Sequence, residues 1–250
     1  IKNQKKFVVR KGFENFFLKR KKKLLINKKI YFIAPSKALF ALCSKKLKLK
    51  NLYYIPHKVS KKFNKISNFK NPNFISKKEK NLLFFSYTHR DGFVKGNDLF
   101  LKILLQLSQD GSKYHVYICG FKNEKLLKEI KNIRLTFLGY LNDEKLNKLY
   151  NSVDLLVSCS RFESFGQTIF EARKAGLPII SFKVGGVLDV INNKGIKLID
   201  CYDYKKMSKE ISTFFKSHKK FSKEKKKNSN EKIKKMNYEK IYLKALSDEN

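Results

Sequence analysis

The sequence predicts an α/β fold with a doubly wound parallel sheet, and two observations carry this prediction. From residue 81 onward, short apolar runs alternate with helical patterns of about ten residues, as parallel strands with crossover helices require. The apolar runs are continuous, which is typical of strands that are buried on both faces. Wholesale disorder is excluded, because 42% of the 250 residues are hydrophobic and can form a sizeable core.

The first part of the chain predicts a helical segment and a strand–helix–strand unit, followed by a linker. In order, we expect a basic helical segment at 1–28, a strand at 29–36 closed by Pro-Ser, a helix at about 36–47 and a strand at 51–56. The stretch that follows is rich in Lys and Asn and has no steady period. We therefore predict a first domain at 1–60 and an interdomain linker at 61–80.

Residues 81–202 predict a single parallel sheet with its helices. The expected strands are 82–88, 114–120, 134–140, 154–160, 178–184 and 196–200, and the expected helices are 97–109, 123–131, 143–151, 166–175 and 187–192. Residues 203–250 alternate Lys with apolar residues at helical spacing, which predicts one or two amphipathic helices.

The charge is strongly positive, with 57 Lys and Arg against 21 Asp and Glu, a net charge of +36. Only six of the basic residues are Arg, and no helix-turn-helix or aromatic-interleaved basic motif is visible, so we expect no nucleic-acid partner. Two interpretations of the charge stay open. One is attraction to an anionic membrane surface, and the other is a solvated surface that reflects compositional bias.

Neither a membrane span nor a metal site is predicted. The longest apolar runs, at 82–87 and 154–159, are far shorter than the roughly 20 residues that a spanning helix needs. The four cysteines are far apart and the four histidines lack ligand spacing, so we expect no metal. The chain begins at Ile1 without a signal-peptide pattern, which leaves a fragment or an unusual start codon as alternatives.

Ligands of doubly wound sheets bind beyond the carboxyl ends of the strands, so the residues after each strand are candidates. After the strand at 154–160, a helix begins near Gly166, and the N–H groups of Gly166, Gln167 and Thr168 suit a phosphate or a sugar hydroxyl. Glu171 lies about 7.5 Å further along the helix axis. One helix would therefore hold a diphosphate at its tip and a ribose at its side.

Glu163 and Glu171 also have an ordinary interpretation, as a first-turn acid and an exposed helix charge. Their surroundings favour a site, because seven residues separate them and they precede Gly-x-Pro at 176–178 and Gly-Gly at 185–186. This pattern resembles the signature of retaining nucleotide-sugar glycosyltransferases of family 4, which have the GT-B fold. The resemblance extends to the surface-polysaccharide subgroup and is strong over 80–200.

Two further segments carry the resemblance. FFSYTHRDGFVKGNDLFL at 84–101 is similar to the first strand, phosphate loop and helix of the family's donor domain, and FLGYLN at 137–142 is similar to its base-binding turn. The resemblance implies that Lys95 and Arg90 neutralise the donor diphosphate, that Glu163 orients the donor sugar and that Glu171 binds the ribose. The implied catalytic residues are Glu163, Lys95 and Arg90, and the implied substrate-binding residues are Gly139, Tyr140, Leu141, Phe165, Gly166, Gln167, Thr168, Glu171, Gly185 and Gly186.

The resemblance implies that residues 1–60 are the truncated end of an N-terminal acceptor domain. It also implies a Rossmann-like GT-B donor domain at 81–202 and C-terminal helices at 203–250 that pack back on the first domain. The implied reaction transfers a sugar from a nucleoside-diphosphate sugar to a glycan or lipid-linked acceptor with retention, in surface polysaccharide or envelope glycan synthesis. We expect no cofactor, because the nucleotide sugar is a substrate, and a cytoplasmic protein peripheral to the inner face of the membrane. The alternative is a non-catalytic module that binds nucleotide sugars or a membrane surface.

Overall fold

The computed structural model describes residues 23, 25, 30–49, 51–66, 75, 78–86, 92–120, 130, 132–190 and 195–217. Its described residues form two compact units, one up to Pro56 and a larger one from His57 onward. The predicted helix at 123–131 and the predicted tail beyond residue 217 lie outside the described residues, apart from Ile130. The predicted domain limits stay a prediction.

The described part of the first unit has a strand, a helix and a strand, as predicted. Strand β1 (Phe32–Ala34) pairs in parallel with β2 (Leu52–Tyr54), and helix α1 (Lys37–Leu47) connects them. Ser36 caps the helix, because its hydroxyl accepts a hydrogen bond from the Leu39 N–H at 3.0 Å.

The second unit is a six-stranded parallel sheet with helices. Its elements are β3 (Lys80–Ser86), α2 (Asn97–Leu107), β4 (Tyr114–Gly120), β5 (Ile133–Gly139), α3 (Asp143–Ser152), β6 (Leu155–Ser158), α4 (Gln167–Lys174), β7 (Ile179–Phe182), a 3₁₀ helix (Gly185–Val190), β8 (Ile196–Ile199) and α5 (Tyr204–Lys216). The strand order is β5-β4-β3-β6-β7-β8, and all pairs are parallel. The predicted parallel α/β sheet is confirmed.

The core lies on both faces of the central strands. All residues of 81–86 and 114–120 are buried regardless of the alternation of their side chains, so both faces of β3 and β4 are covered. Phe84 of β3 stacks on Phe100 of α2, with 3.9 Å between the ring centroids. Burial of each such side chain contributes about 1.5–3 kcal/mol to the free energy of unfolding.

Helix α5 confirms the amphipathic pattern predicted after residue 203, within its own bounds. Its buried residues Met207, Ile211 and Phe214 follow one another at helical spacing, and the helix packs against α2. Asp203 caps its first turn, since the carboxylate accepts a hydrogen bond from the Lys206 N–H.

The helix predicted at 187–192 corresponds to a 3₁₀ helix over Gly185–Val190, which begins two residues earlier, and residues 191 and 192 lie outside the described residues. The Gly186 N–H donates to the Glu163 carbonyl oxygen at 2.8 Å, and the Val187 N–H donates to Val184 three residues earlier. These two hydrogen bonds tighten the turn from its first residues and favour the 3₁₀ conformation.

Residues 60–66, which overlap the start of the predicted linker, belong to the second unit and pack against its helices. Phe63 is 2% exposed and packs edge-on against Tyr150. The Asn64 N–H donates to Asn147 Oδ1, and Lys174 Nζ donates to the Ser60 carbonyl oxygen. These contacts place residues 60–64 against α3 and α4.

A buried polar cluster joins the first residues of β4 to those of β5. His115 is 1% exposed and is hydrogen-bonded to Thr136 Oγ1 at 2.7 Å and to the Tyr117 hydroxyl at 2.8 Å. Burial and the charge of Arg134 lower the pKa of His115, and attraction to Glu79 offsets part of this effect. The structure therefore favours a neutral His115.

We expect the free energy of unfolding to decrease as the pH falls below about 6.5, the ordinary pKa of histidine. There the unfolded chain binds a proton that the folded protein excludes from His115, and one such group accounts for up to about 1.4 kcal/mol per pH unit. Urea unfolding between about pH 7.5 and 5 measures the slope. His115→Gln retains polar contacts without titrating, so its curve should be flatter, and parallel curves would refute this origin.

Candidate active site

The strand order reverses between β3 and β6, and the loops that follow these two strands meet there. Lys95 lies in the first loop and Glu163 in the second, and their Nζ and Oε1 atoms are 2.6 Å apart. The Ser160 hydroxyl donates to the same carboxylate oxygen at 2.7 Å. Both charged side chains are largely shielded, with 21% and 11% of their surfaces exposed, so the pair is stronger than an open surface pair.

The turn at 92–96, which carries Lys95, is packed tightly against the loop that follows β6. Gly96 has a φ of 72°, and a Cβ at this position would lie 2.0 Å from the carbonyl oxygen of Cys159, so only glycine fits. Asn97 Nδ2 donates to Ser86 Oγ at 2.7 Å and thus ties the start of α2 to the end of β3.

Helix α4 begins with backbone donors that no side chain caps. Gly166 is its N-cap residue with a φ of 88°, and Gln167 and Thr168 form its first turn. The N–H groups of a first turn have no partner within their helix, so this end favours an anion. Thr168 lines a small pocket together with Lys95 and Glu163.

Glu171 lies on α4 and is buried, with 6% of its surface exposed, so its interpretation as an exposed helix charge is wrong. The Tyr150 hydroxyl of α3 donates to Glu171 Oε2 at 3.1 Å. Burial raises the pKa of Glu171 above its ordinary value, and hydrogen bonds from Gln167 and Tyr150 offset part of the increase. Tyr150 therefore stabilises the carboxylate form.

Replacing Tyr150 by Phe should raise the pKa of Glu171 further, because the buried carboxylate loses a hydrogen-bond donor while its desolvation persists. Carboxyl chemical shifts followed by NMR during a pH titration measure this pKa. Tyr117→Phe is the matched control, since Tyr117 is a buried tyrosine that is bonded to His115 instead. An unchanged pKa of Glu171 in Tyr150→Phe would contradict the role of the hydroxyl.

The two glycines after β7 pack against the backbone of the loop that carries Glu163. A Cβ on Gly185 would lie 1.9 Å from the Glu163 carbonyl oxygen, and one on Gly186 would lie 2.5 Å from the Phe165 Cα. Phe165 is 4% exposed and stacks on Phe170 at 4.3 Å. Gly185, Gly186 and Phe165 thus fix the conformation of the loop through their packing. Their predicted contact with substrate stays a prediction.

The predicted base-binding turn follows β5, at one edge of the sheet. Gly139 has a φ of 63°, Tyr140 is 65% exposed, and Leu141 packs partly against the core. The turn and Lys95 both follow the carboxyl ends of their strands, so they lie on the same side of the sheet, with β4 between β5 and β3. Arg90, the second predicted cation, lies outside the described residues.

Three residues that structure the site were not predicted from the sequence: Tyr150, Ser160 and Arg161. Ser160 and Arg161 directly precede the Glu163 motif, so their position was a signal that they could take part. No such signal in the sequence marks Tyr150, because its contact with Glu171 depends on how two helices pack against each other.

Neither a metal cluster nor a membrane-spanning helix is found among the described residues. Within the ranges that the structure describes, no group of three or more His, Cys, Asp or Glu side chains is placed to hold a metal ion. None of the described helices is both long enough and apolar enough to cross a membrane.

Comparison with solved structures shows the class of fold. The chain is similar to a sucrose-phosphate synthase from Thermosynechococcus elongatus, with a TM-score of 0.73 and 20% identity over 93% of this chain and 60% of that one. It is also similar to Anabaena Alr3699/HepE in complex with UDP and glucose, with a TM-score of 0.72 and 19% identity over 95% and 68%. These structural neighbours are GT-B glycosyltransferases, so the fold is of the GT-B type.

The sequence comparisons show the family. The family model described as "Glycosyl transferases group 1" matches residues 68–236, more than half of the chain, and the chain belongs to this family. A GDP-mannose-dependent alpha-mannosyltransferase of Corynebacterium glutamicum is 42% identical over 71 residues, which are 28% of this chain and 17% of that protein. The alignments thus span a small part of such relatives, and the chain spans 60% of the synthase structure.

Proposed function

We propose that the chain binds a nucleoside-diphosphate sugar at the carboxyl edge of β3 and β6 and transfers the sugar with retention, as family 4 enzymes do. The observation that carries this proposal is the contact between Lys95 and Glu163 beside the first turn of α4. A cation and helix N–H groups suit a diphosphate, and a carboxylate suits the hydroxyl groups of a sugar.

In the proposed reaction, the bond between the anomeric carbon of the donor sugar and the diphosphate oxygen breaks, and an acceptor oxygen forms the new bond on the same face. The leaving diphosphate takes up the acceptor's proton. Lys95 and the N–H groups at the tip of α4 stabilise the negative charge that develops on the diphosphate, which contributes a few kcal/mol per well-placed donor. Arg90 is proposed as a second cation, and Glu163 orients the donor sugar.

The nucleoside part of the donor is proposed to lie between α4 and the turn after β5. Glu171 accepts hydrogen bonds from the ribose, and the backbone of Gly139, Tyr140 and Leu141 meets the base. The buried position of Glu171 supports this proposal, because hydrogen bonds between a carboxyl group and hydroxyl groups are stronger away from water.

Calorimetric titration of the chain with a panel of UDP-, GDP- and ADP-sugars tests this function. We expect one nucleotide class to bind, and the Glu171→Ala variant to lose much of that affinity. Glu144→Ala is the matched control, since Glu144 pairs with Lys148 on the exposed side of α3. If no member of the panel binds the wild-type chain, or if both variants bind as the wild type does, the proposed function is wrong.

We further propose that the acceptor is a glycan or lipid-linked molecule of envelope polysaccharide synthesis, and that the protein binds reversibly to anionic membrane surfaces. The net charge of +36 supports the second point, since each Lys near an anionic bilayer contributes about 1 kcal/mol. Sedimentation with anionic vesicles should show binding that decreases with salt, and sedimentation with neutral vesicles should show none. Equal binding to both vesicle types would contradict the proposed attraction to anionic membranes, and compositional bias would then explain the positive charge.

A further inference from the structure

Arg161 connects the loop after β6 to the turn that carries Lys95. Its backbone N–H donates to the Val94 carbonyl oxygen at 2.8 Å, and its Nη1 donates to the Phe93 carbonyl oxygen at 2.7 Å. The guanidinium lies over the Phe93 ring, 4.0 Å from its centroid. These contacts hold the two residues that directly precede Lys95.

The same guanidinium also holds the residues that follow Lys95. Nη1 and Nη2 of Arg161 each donate to one carboxylate oxygen of Asp98 at 2.7 Å, a bidentate pair in the first turn of α2. Burial alone would raise the pKa of Asp98, but the hydrogen bonds and charge of Arg161 outweigh this effect and lower it. Arg161 therefore bridges both sides of the turn at 92–96.

Three N–H groups of the Arg161 side chain are already directed at protein acceptors, and only 16% of the side chain is exposed. A guanidinium has five N–H donors, so this pairing leaves few of them for a ligand. The carboxylate of Asp98 also compensates the charge that would attract a phosphate. Arg161 is thus arranged to hold the protein's own backbone.

We propose that Arg161, oriented by Asp98, is a positioning residue for the donor diphosphate, because it fixes the turn at 92–96 so that the Lys95 ammonium group stays beside Glu163. This inference rests on the proposed function. Lysine cannot replace arginine here, since a single ammonium group lacks the planar fork that engages both Asp98 oxygens and the Phe93 carbonyl group.

The test uses the full chain and the variants Arg161→Lys, Arg161→Gln and Asp98→Asn. UDP, GDP and ADP are titrated first, and the tightest binder is then compared with its parent nucleoside. We expect each variant to bind the diphosphate about tenfold more weakly, because a misplaced group loses much of its effect, with nucleoside affinity unchanged within about twofold. Lys183→Gln is the control, since Lys183 forms an exposed ion pair with Asp200 and should leave both affinities unchanged.

The sign of the Asp98→Asn effect separates positioning from direct binding. If Arg161 were itself a phosphate ligand, loss of the competing carboxylate would tighten diphosphate binding, and that result would overturn the proposal. Equal losses for nucleoside and diphosphate would overturn it as well, because they would indicate general disruption of the site.

Hydrogen exchange of the unliganded protein supplies a readout that needs no nucleotide. The amides of 92–96 should exchange faster in Arg161→Gln, while those of β4 stay unchanged, and unchanged exchange at 92–96 would overturn the proposal. Failure of the wild-type chain to bind any nucleoside diphosphate is a separate outcome. It would overturn the proposed function and, with it, the purpose assigned to Arg161.

Discussion

Replacing Lys95 by Ala should reduce the affinity for the donor diphosphate by about 1.5–3 kcal/mol, the usual contribution of a charge-assisted hydrogen bond. The Lys95 ammonium group lies 2.6 Å from Glu163 and is only 21% exposed, so water screens it weakly. Its removal also leaves Glu163 without its cation next to the diphosphate. Both effects weaken the binding of an anion at this place.

Calorimetric titration with a nucleoside diphosphate measures the Lys95→Ala loss, and Lys102→Ala is the control. Lys102 lies further along α2, where its ammonium group contacts the Tyr204 ring. A chain with a net charge of +36 attracts anions wherever they bind, and this general attraction should be equal for the two variants. Equal losses would therefore mean that overall charge, and no placed lysine, attracts the ligand.

Replacing Gly185 by Ala should lower the free energy of unfolding by about 2–5 kcal/mol, the combined cost of a steric clash and a left-handed backbone conformation. The added Cβ would lie 1.9 Å from the Glu163 carbonyl oxygen, and backbone atoms cannot yield as a flexible side chain does. The φ of 45° adds a left-handed conformation that costs about 1–2 kcal/mol for other residues. The loop that carries Glu163 must move to accommodate the methyl group.

Urea unfolding of Gly185→Ala and Gly111→Ala separates these two costs. Gly111 also has a positive φ, 73°, but no atom lies within 4 Å of a Cβ built there. Gly111→Ala should therefore lose only the conformational part, and the difference between the variants is the steric part. A loss for Gly185→Ala no larger than that for Gly111→Ala would show that the close contact with the Glu163 loop carries no energetic weight.

The sequence was sufficient to predict the sheet because each buried strand is a continuous apolar run that is visible in the sequence. The predicted strand at 114–120 coincides with β4, and the predicted helix at 97–109 ends two residues beyond α2. The sequence did not predict that the helix expected at 187–192 would begin at Gly185 and take the 3₁₀ conformation, and the reason lies outside its own residues. Its geometry depends on a hydrogen bond from Gly186 to Glu163 in a distant loop.

The contact between Lys95 and Glu163 could be anticipated only through the resemblance to a family, since Lys95 is one of 51 lysines and its position alone carries no signal. The rule for parallel sheets still brought the ends of β3 and β6 together. Arg161 offered a signal that was overlooked. In a chain with only six arginines, one that lies two residues before Glu163 merits attention because arginine forms bidentate pairs.

The pairing of Arg161 with Asp98 could not be predicted in the same way. The two residues are 63 positions apart, and Asp98 has the sequence signature of an ordinary first-turn acid. The contact between Tyr150 and Glu171 is similar, because it depends on how α3 packs against α4. Side-chain contacts between distant elements can be identified only when the packing of those elements is known.

The central claim is that the donor binds at the carboxyl edge of the sheet, and mapping of a bound nucleoside diphosphate by NMR tests it most directly. The described residues also line an open pocket at the amino ends of β3, β4 and β5, where Glu79, Ser112 and Arg134 lie. We expect amide shifts to concentrate at Gly96 and Gly166–Thr168 and to leave that pocket unchanged. Shifts concentrated around Ser112 and Arg134, with Gly96 and Gly166 unaffected, would contradict the account.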